Sequence, residues 1–226
     1  MLAPPWCERC GRPLERGASR CGDCPPVVSW ARSAYLYEGP VRSSLHRLKF
    51  GGTRSIVEAV APAMADVLQR APPFAGSGAR TDRAERAWSV TWVPLGRRRR
   101  RSRGFDQAEV LARAVAATSG MTVLRLLERA VETAPQARRS ASERALALRG
   151  SFRVARCPPV NVVLVDDVLT SGATGAECAR TLLGAGARRV GLLTAARSLG
   201  GGVPARCYNP PGLRPGSVVA RETISR

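Results

Sequence analysis

The chain has 226 residues, 44% of them hydrophobic, with a formal net charge of +19 at pH 7, enough for one medium domain with a proper core plus a small appendage. No apolar run reaches the ~18 residues of a membrane span, and no basic-then-apolar leader opens the chain. Neither a transmembrane segment nor a signal peptide is expected, and a cytoplasmic protein is the default. Of the 36 basic residues all but Lys49 are arginine, against 17 acidic residues; that excess favours polyanions such as DNA and equally suits a site for a multiply charged diphosphate.

The first segment carries Cys7-x2-Cys10-x10-Cys21-x2-Cys24, a cluster that leaves three of the seven cysteines outside it. Each Cys-x2-Cys turn presents two thiolates to one ion, and two such turns complete a tetrahedral Zn2+ site with no position open for catalysis. A short stretch containing Pro4, Pro5, Pro13, Pro25 and Pro26 cannot build a core. Metal therefore supplies its folding energy, on the order of 10–16 kcal/mol for peptides of this kind. Structural zinc over residues 1–30 is the expectation, with a redox pair of Cys-x2-Cys sites as the alternative. Cys157, Cys178 and Cys207 are expected to be packed or exposed bystanders.

Residues 40–50 predict a short basic helix, with Val41, Leu45 and Leu48 on one face and Gly51-Gly52 as its stop. His46, the only histidine, is expected on its surface, which excludes a histidine-based triad or a catalytic zinc. Residues 55–70 predict a second helix, opened by Ser55 and Glu58, burying Val57, Val60, Ala61, Met64 and Leu68, and kinked at Pro62. Residues 71–86, rich in Pro, Gly and Arg, read as a flexible connection.

Trp88 to Val93 reads as a strand. Arg97 to Arg101 and then Arg103-Gly104-Phe105 follow it as a loop, either a solvated, mobile one or a patch for nucleic acid or diphosphate. Arginine suits phosphate because its planar fork donates two hydrogen bonds at fixed geometry. Asp106 and Glu109 form a capping arrangement ahead of a helix with Ala108, Leu111, Ala112 and Val115 on its buried face. Residues 129–149 are a further basic patch, in which Ser140 and Glu143 start a short helix that Gly150 ends.

The run Val162 to Cys178, VVLVDDVLTSGATGAEC, is the most informative in the chain. Val162, Val163, Leu164 and Val165 read as a buried strand of a parallel sheet. Asp166 and Asp167 stand at its end, followed by a small, hydroxyl-rich turn and a helix. In open α/β sheets ligands bind at the carboxyl ends of strands. Gly172 and Ala173 let backbone N–H groups wrap a phosphate, Thr170, Ser171 and Thr174 add hydroxyls, and the helix N-terminus faces the same anion. The turn has no lysine and G-x-x-x-x-G-K-[ST] is absent, which argues against a P-loop triphosphatase. An acid pair suits ribose hydroxyls or a water-held Mg2+; the alternative is an ordinary turn with solvated carboxylates. After this helix, Gly184-Ala185-Gly186 turns the chain into a strand at Val190 to Ala195, and a poorly ordered tail is expected from Ser198.

VVLVDDVLTSGAT resembles the phosphoribosyl-pyrophosphate (PRPP) motif of type I phosphoribosyltransferases. Together with WCERCGRPLERGASRCGDC, LHRLKFGG, VPLGRRRRRSRGFDQAEVLA and RAVETAPQARRSASERALALRGSF it is similar to the ComF/GntX family over residues 5–197. The resemblance implies that Asp166 and Asp167 hold the ribose 2- and 3-hydroxyls and that Thr170, Ser171, Gly172, Ala173 and Thr174 hold the 5-phosphate. By the same resemblance Arg103, Gly104 and Gln107 of the RGF-x-Q signature lie near the pyrophosphate. Arg129, Thr133, Gln136 and Arg144 stand at the R-x3-T-x2-Q-x7-R positions, within a segment that is either a closing lid or a basic helix on the sheet. Two departures stand out: Asp106 replaces the family's usual asparagine, and the asparagine usual after the last arginine is missing.

The expected fold is therefore α/β: a parallel-sheet, Rossmann-like phosphoribosyltransferase-like domain over 31–197, a small N-terminal zinc-ribbon module over 1–30, and a tail over 198–226. The expected function is a PRPP-binding protein of the ComF type that uses Mg2+ with PRPP, transfers a phosphoribosyl group with release of pyrophosphate, and is linked to DNA uptake and competence. The alternative is a non-catalytic PRPP- or nucleotide-binding accessory that contacts single-stranded DNA or a helicase of DNA uptake.

Overall fold

The computed structural model describes residues 7–14, 19–22, 24–51, 54–74, 87–131 and 146–199. In chain order the elements are β1 (Trp30–Leu36), α1 (Gly39–Gly51), α2 (Arg54–Gln69), β2 (Trp88–Trp92), α3 (Arg97–Arg103), α4 (Gln107–Ser119), β3 (Thr122–Val123), β4 (Leu127–Arg129), β5 (Phe152–Val154), β6 (Asn161–Leu169), α5 (Ala173–Gly184) and β7 (Arg189–Arg197). A five-stranded sheet has the order β1-β7-β6-β2-β3, and all its pairings are parallel. β4 and β5 form a separate antiparallel pair. The α/β class with a parallel sheet, expected from the sequence, is the class observed.

The apolar run of β6 lies at the middle of this sheet because it can be buried on both faces. Val163 and Val165 pack with Trp30, Val90, Trp92 and Leu193 beneath α1, α2 and α4. Val162 and Leu164 point the other way, into a second core with Leu192, the α5 residues Cys178, Ala179 and Leu182, and Leu127 and Phe152 of the β4–β5 pair. The period of two along a strand thus divides one segment between two helical layers. α2 buries Val57, Val60, Ala61, Met64 and Leu68 as its spacing predicts, and runs on past Pro62. His46 is exposed on α1.

Cys7 and Cys10 are fully buried in the second core with Val28, Ala31 and Val190. The cysteine knuckle is therefore docked on the sheet face that α5 also covers. Two buried arginines fasten it: Arg32 donates to the carbonyls of Glu8 (2.8 Å) and Arg9 (3.1 Å), and Arg197 donates to the carbonyl of Cys10 (2.6 Å).

Three expectations need correction. The strand at the acid pair runs on through Leu169, because pairing with β7 continues past Asp166 and Ser198 N–H donates to the Leu169 carbonyl at 2.9 Å. The arginine run is a helix and not a loop: Arg100 N–H donates to Gly96, and Gly104 adopts a left-handed φ of 78° and donates back to Arg100. Residues 30–36 form an edge strand that sequence patterning missed, since WARSAYL lacks clean alternation and β1 owes its place to pairing with β7. The tail from residue 200, Cys207, residues 75–86 of the expected connection and the expected helix start at Ser140 and Glu143 lie outside the described residues.

Candidate functional site

The order of strands locates the site. β2 leads through α3 and α4 to β3 on one side, whereas β6 leads through α5 to β7 on the other. The crevice between the carboxyl ends of β2 and β6 is thus a topological switch point, where parallel α/β sheets bind ligands. Asp166 and Asp167 stand near the end of β6, and the charge of Asp167 reaches Arg103 at the end of α3; Gly104 caps α3, and Gln107 opens α4.

Alternation along β6 puts the two acids on opposite faces of the sheet edge. Asp166 faces the α5 side and is registered against Thr194 of β7. Asp167 faces the α1 side, where Lys49 Nζ lies 2.6 Å from its Oδ2. Asp166 Oδ1 accepts the Asp167 N–H at 2.8 Å, and Asp167 Oδ1 accepts the Val168 N–H at 2.9 Å. Burial, and then the charge of Asp167, push the Asp166 carboxyl well above the ordinary carboxylate value; the Asp167 N–H and Lys49 pull it only part of the way back. Sequence reasoning missed Lys49 as a neighbour of this pair. The available signal was that the one lysine of the chain stands in LHRLKFGG.

Thr170, Ser171, Gly172, Ala173 and Thr174 join β6 to α5. Gly172 has a left-handed φ of 75° and acts as the N-cap of α5, with no side-chain cap. Its carbonyl accepts the Ala176 N–H at 2.8 Å, while Ser171 Oγ accepts the Ala173 N–H at 3.5 Å. The remaining first-turn N–H groups are orphan donors at the positive end of the helix. They open on a small pocket, about 30 Å³ in volume, bounded by Asp166, Thr170, Gly172, Ala173, Thr174 and Gly175 over Leu192 and Thr194. This corner supplies anion donors and a hydroxyl-accepting carboxyl side by side. A larger open hollow, about 580 Å³ and lined by Glu8, Arg9, Arg20 and Trp30, contains no residue of this corner.

Arg103 is half-buried, unlike its exposed neighbours Arg97 to Arg101. Burial lowers its pKa and the charge of Asp167 raises it, so this guanidinium lies in the field of the acid pair. Gln107 is buried, and its Oε1 has no hydrogen-bond partner among the described residues. Asp106 caps α4 with Oδ1 accepting from Ala108 (3.1 Å) and Glu109 (3.4 Å), and its Oδ2 accepts the Leu95 N–H at 2.7 Å. Both oxygens are used. An asparagine would set an amide donor against the Leu95 N–H, a physical reason for aspartate at this position. Arg129 ends β4 with its guanidinium 5.1 Å from the Phe152 ring centre, and donates to the Val131 carbonyl at 3.1 Å. Thr133, Gln136 and Arg144 lie outside the described residues. Cys178 is buried behind the corner, its thiol pushed up by burial and by Asp166; Cys157 is exposed.

The Sγ atoms of Cys7, Cys10, Cys21 and Cys24 all lie within 4.8 Å of one another, with closest separations of 3.3–3.4 Å. A tetrahedral ion with sulfur at about 2.3 Å requires edges of about 3.8 Å, so a thiolate donor set of this size fits Zn2+ after slight expansion. Burial opposes ionisation of Cys7, but N–H groups of Cys21 and Cys10 and the neighbouring thiols bring it down to about 6. Burial and thiol neighbours push Cys21 and Cys24 up. A metal entering the cluster displaces the protons that the thiols still hold. Arg197 Nη2, 3.5 Å from Cys10 Sγ, adds a positive outer partner for the negative cluster.

These parts define an α/β protein with a parallel five-stranded sheet, on which a cysteine knuckle that could hold a metal is docked. No family model matches the chain. Over 198 residues it is 34% identical to the DNA utilization protein YhgH of Salmonella typhimurium, covering 85% of this chain and 84% of that protein. It is 27% identical to the competence protein ComFC of Bacillus subtilis over 85% of this chain and 78% of that one. Competence protein F of Haemophilus influenzae is also 27% identical, over 86% of this chain and 85% of that protein. The chain belongs to the ComF family of competence proteins. Among solved structures it is similar to the glutamine phosphoribosylpyrophosphate amidotransferase of B. subtilis (TM-score 0.39, 19% identity, 66% of this chain) and to an allosteric regulatory enzyme of purine biosynthesis (TM-score 0.37, 20% identity, 62% of this chain). The chain spans 30% and 26% of the lengths of those two enzymes. Among the described residues no helix is long and apolar enough to cross a membrane.

Proposed function

We propose that the chain binds PRPP, or a closely related phosphorylated pentose, at the carboxyl end of β6, and acts as a phosphoribosyltransferase-like protein in the cytoplasmic handling of DNA. One observation carries this reading: an acid pair and a glycine-capped hydroxyl turn meet in the switch-point crevice beside Arg103. The carboxyls of Asp166 and Asp167 accept hydroxyls of the pentose, and the N–H groups and hydroxyls of Thr170 to Thr174 take its 5-phosphate. Arg103, with Gly104 and Gln107, takes the diphosphate in this reading, which is supported by the reach of the Asp167 charge to Arg103. Mg2+ bound with the diphosphate would neutralise part of its charge and help the pyrophosphate to leave. The chain's own contribution to transfer is rigid binding at both ends of the sugar while the bond at the anomeric carbon stretches. Zn2+ in the Cys7, Cys10, Cys21 and Cys24 knuckle is structural in this reading, and the names of the relatives support a role in DNA uptake or use.

Calorimetric titration with PRPP and Mg2+ tests the site. Asp166→Asn combined with Asp167→Asn is expected to abolish binding and leave the fold intact; unchanged affinity rules out the pentose contact. A second reading, a non-catalytic accessory that contacts single-stranded DNA or a helicase partner, is favoured by α3, which has no buried residue and displays Arg97 to Arg101. Pyrophosphate release with a panel of bases and amines separates the two. No release with any acceptor, together with salt-sensitive DNA binding, selects the accessory.

A further inference from the structure

Lys49 stands in the last turn of α1 with its Nζ 2.6 Å from Asp167 Oδ2. The other oxygen of Asp167 is engaged by the Val168 N–H, so the ammonium occupies the side of the carboxylate left for a ligand. The side chains are 23% and 12% exposed, which removes much of the solvent screening that makes surface pairs weak. A sugar hydroxyl can donate to Oδ2 only by sharing or displacing this ammonium. Displacement alone leaves a partly desolvated cation without a partner and is disfavoured. It becomes favourable when the same ligand brings an anion within reach of the lysine stem.

Lysine suits such an exchange better than arginine. Its ammonium is a compact charge on a flexible stem, whereas a guanidinium fork would lock the carboxylate at two points. The one exception to arginine in this chain therefore stands where a movable charge is needed.

We propose that Lys49 is an exchangeable counter-ion of the acid pair. It neutralises Asp167 before ligand binds and passes to the anomeric diphosphate when the sugar hydroxyls take Asp167. The site is thereby selective for a pentose that carries this diphosphate over one that carries only the 5-phosphate. This inference rests on the pentose-phosphate reading above.

The test titrates wild type, Lys49→Met and Lys49→Gln with PRPP plus Mg2+ and, separately, with ribose 5-phosphate. Both variants are expected to bind PRPP about tenfold more weakly, the weight of one charge-assisted contact, and ribose 5-phosphate several-fold more tightly. A lysine that merely supports the fold would move both affinities in the same direction, and that result overturns the exchange, as does no change in either. Wild type that binds the two sugars equally well also overturns it. Wild type that binds neither overturns the pentose reading and the exchange with it.

Discussion

Pro25, the residue after the last knuckle cysteine, touches Gly172: a Cβ added at Gly172 would lie 2.8 Å from Pro25 Cβ and 3.1 Å from its Cγ. The cysteine knuckle and the turn at the head of α5 are thus in direct contact, through a glycine that the left-handed φ of 75° already requires. A second link lies beside it. Arg197 pairs with Leu169 across β6 and β7 and reaches the Cys10 carbonyl.

Gly172→Ala meets both obstacles. It is expected to destabilise the protein by about 1–3 kcal/mol, the usual range for a strained backbone position, as measured by urea unfolding. Adding Pro25→Gly should restore the steric part and leave the left-handed strain. Strictly additive losses in the double variant would show that the contact is not the source.

Metal removal should be felt beyond the knuckle. Arg32 and Arg197 are 9% and 4% exposed, and four thiolates on a divalent ion leave two negative charges to offset them. Stripping the metal with a chelator removes this negative centre from beside the two guanidinium groups and leaves them their carbonyl partners. A lower melting temperature for the sheet domain and faster amide exchange around Leu169 and Ala173 are expected. Arg197→Met should release zinc to a competing dye about 10–100-fold more readily, the effect of losing an outer partner. Retention equal to wild type would count against this link.

The pH dependence of stability has a predicted sign at Asp166. Burial, ahead of the Asp167 charge, raises its pKa above the ordinary 3.8, so the folded protein holds this proton more tightly than the unfolded chain. The contribution to stability is full below that ordinary value and is lost as pH rises through the raised one. Asp166→Asn keeps an acceptor for the Asp167 N–H and removes the loss. Near pH 3 the variant and wild type should be alike; at pH 8 the variant should be the more stable, by more than the ~0.5 kcal/mol of neutral surface changes. Parallel unfolding curves from pH 4 to 8 would refute the assignment.

Legibility in the sequence followed the range of the interactions. The buried run of β6, the amphipathic spacing of α2 and the Asp106 cap of α4 are local patterns, and each appears where it was read. Edge strand β1 and the short strands β3, β4 and β5 carry no pattern of their own and form where a neighbour pairs with them. The helical arginine run defied its own like-charge repulsion because Gly96 and Gly104 close it and Glu109 lies 3.5 Å from Arg100.

By itself the sequence determined the α/β class, the four-cysteine cluster and the contiguous acid-then-hydroxyl corner, because periodicity and spacing act over a few residues. Tertiary structure decided which distant groups meet that corner: Lys49 across from Asp167, Arg103 within its field, and Pro25 against Gly172. Such meetings depend on strand order and on which face a side chain leaves, and only the assembled sheet with its helices in place sets both.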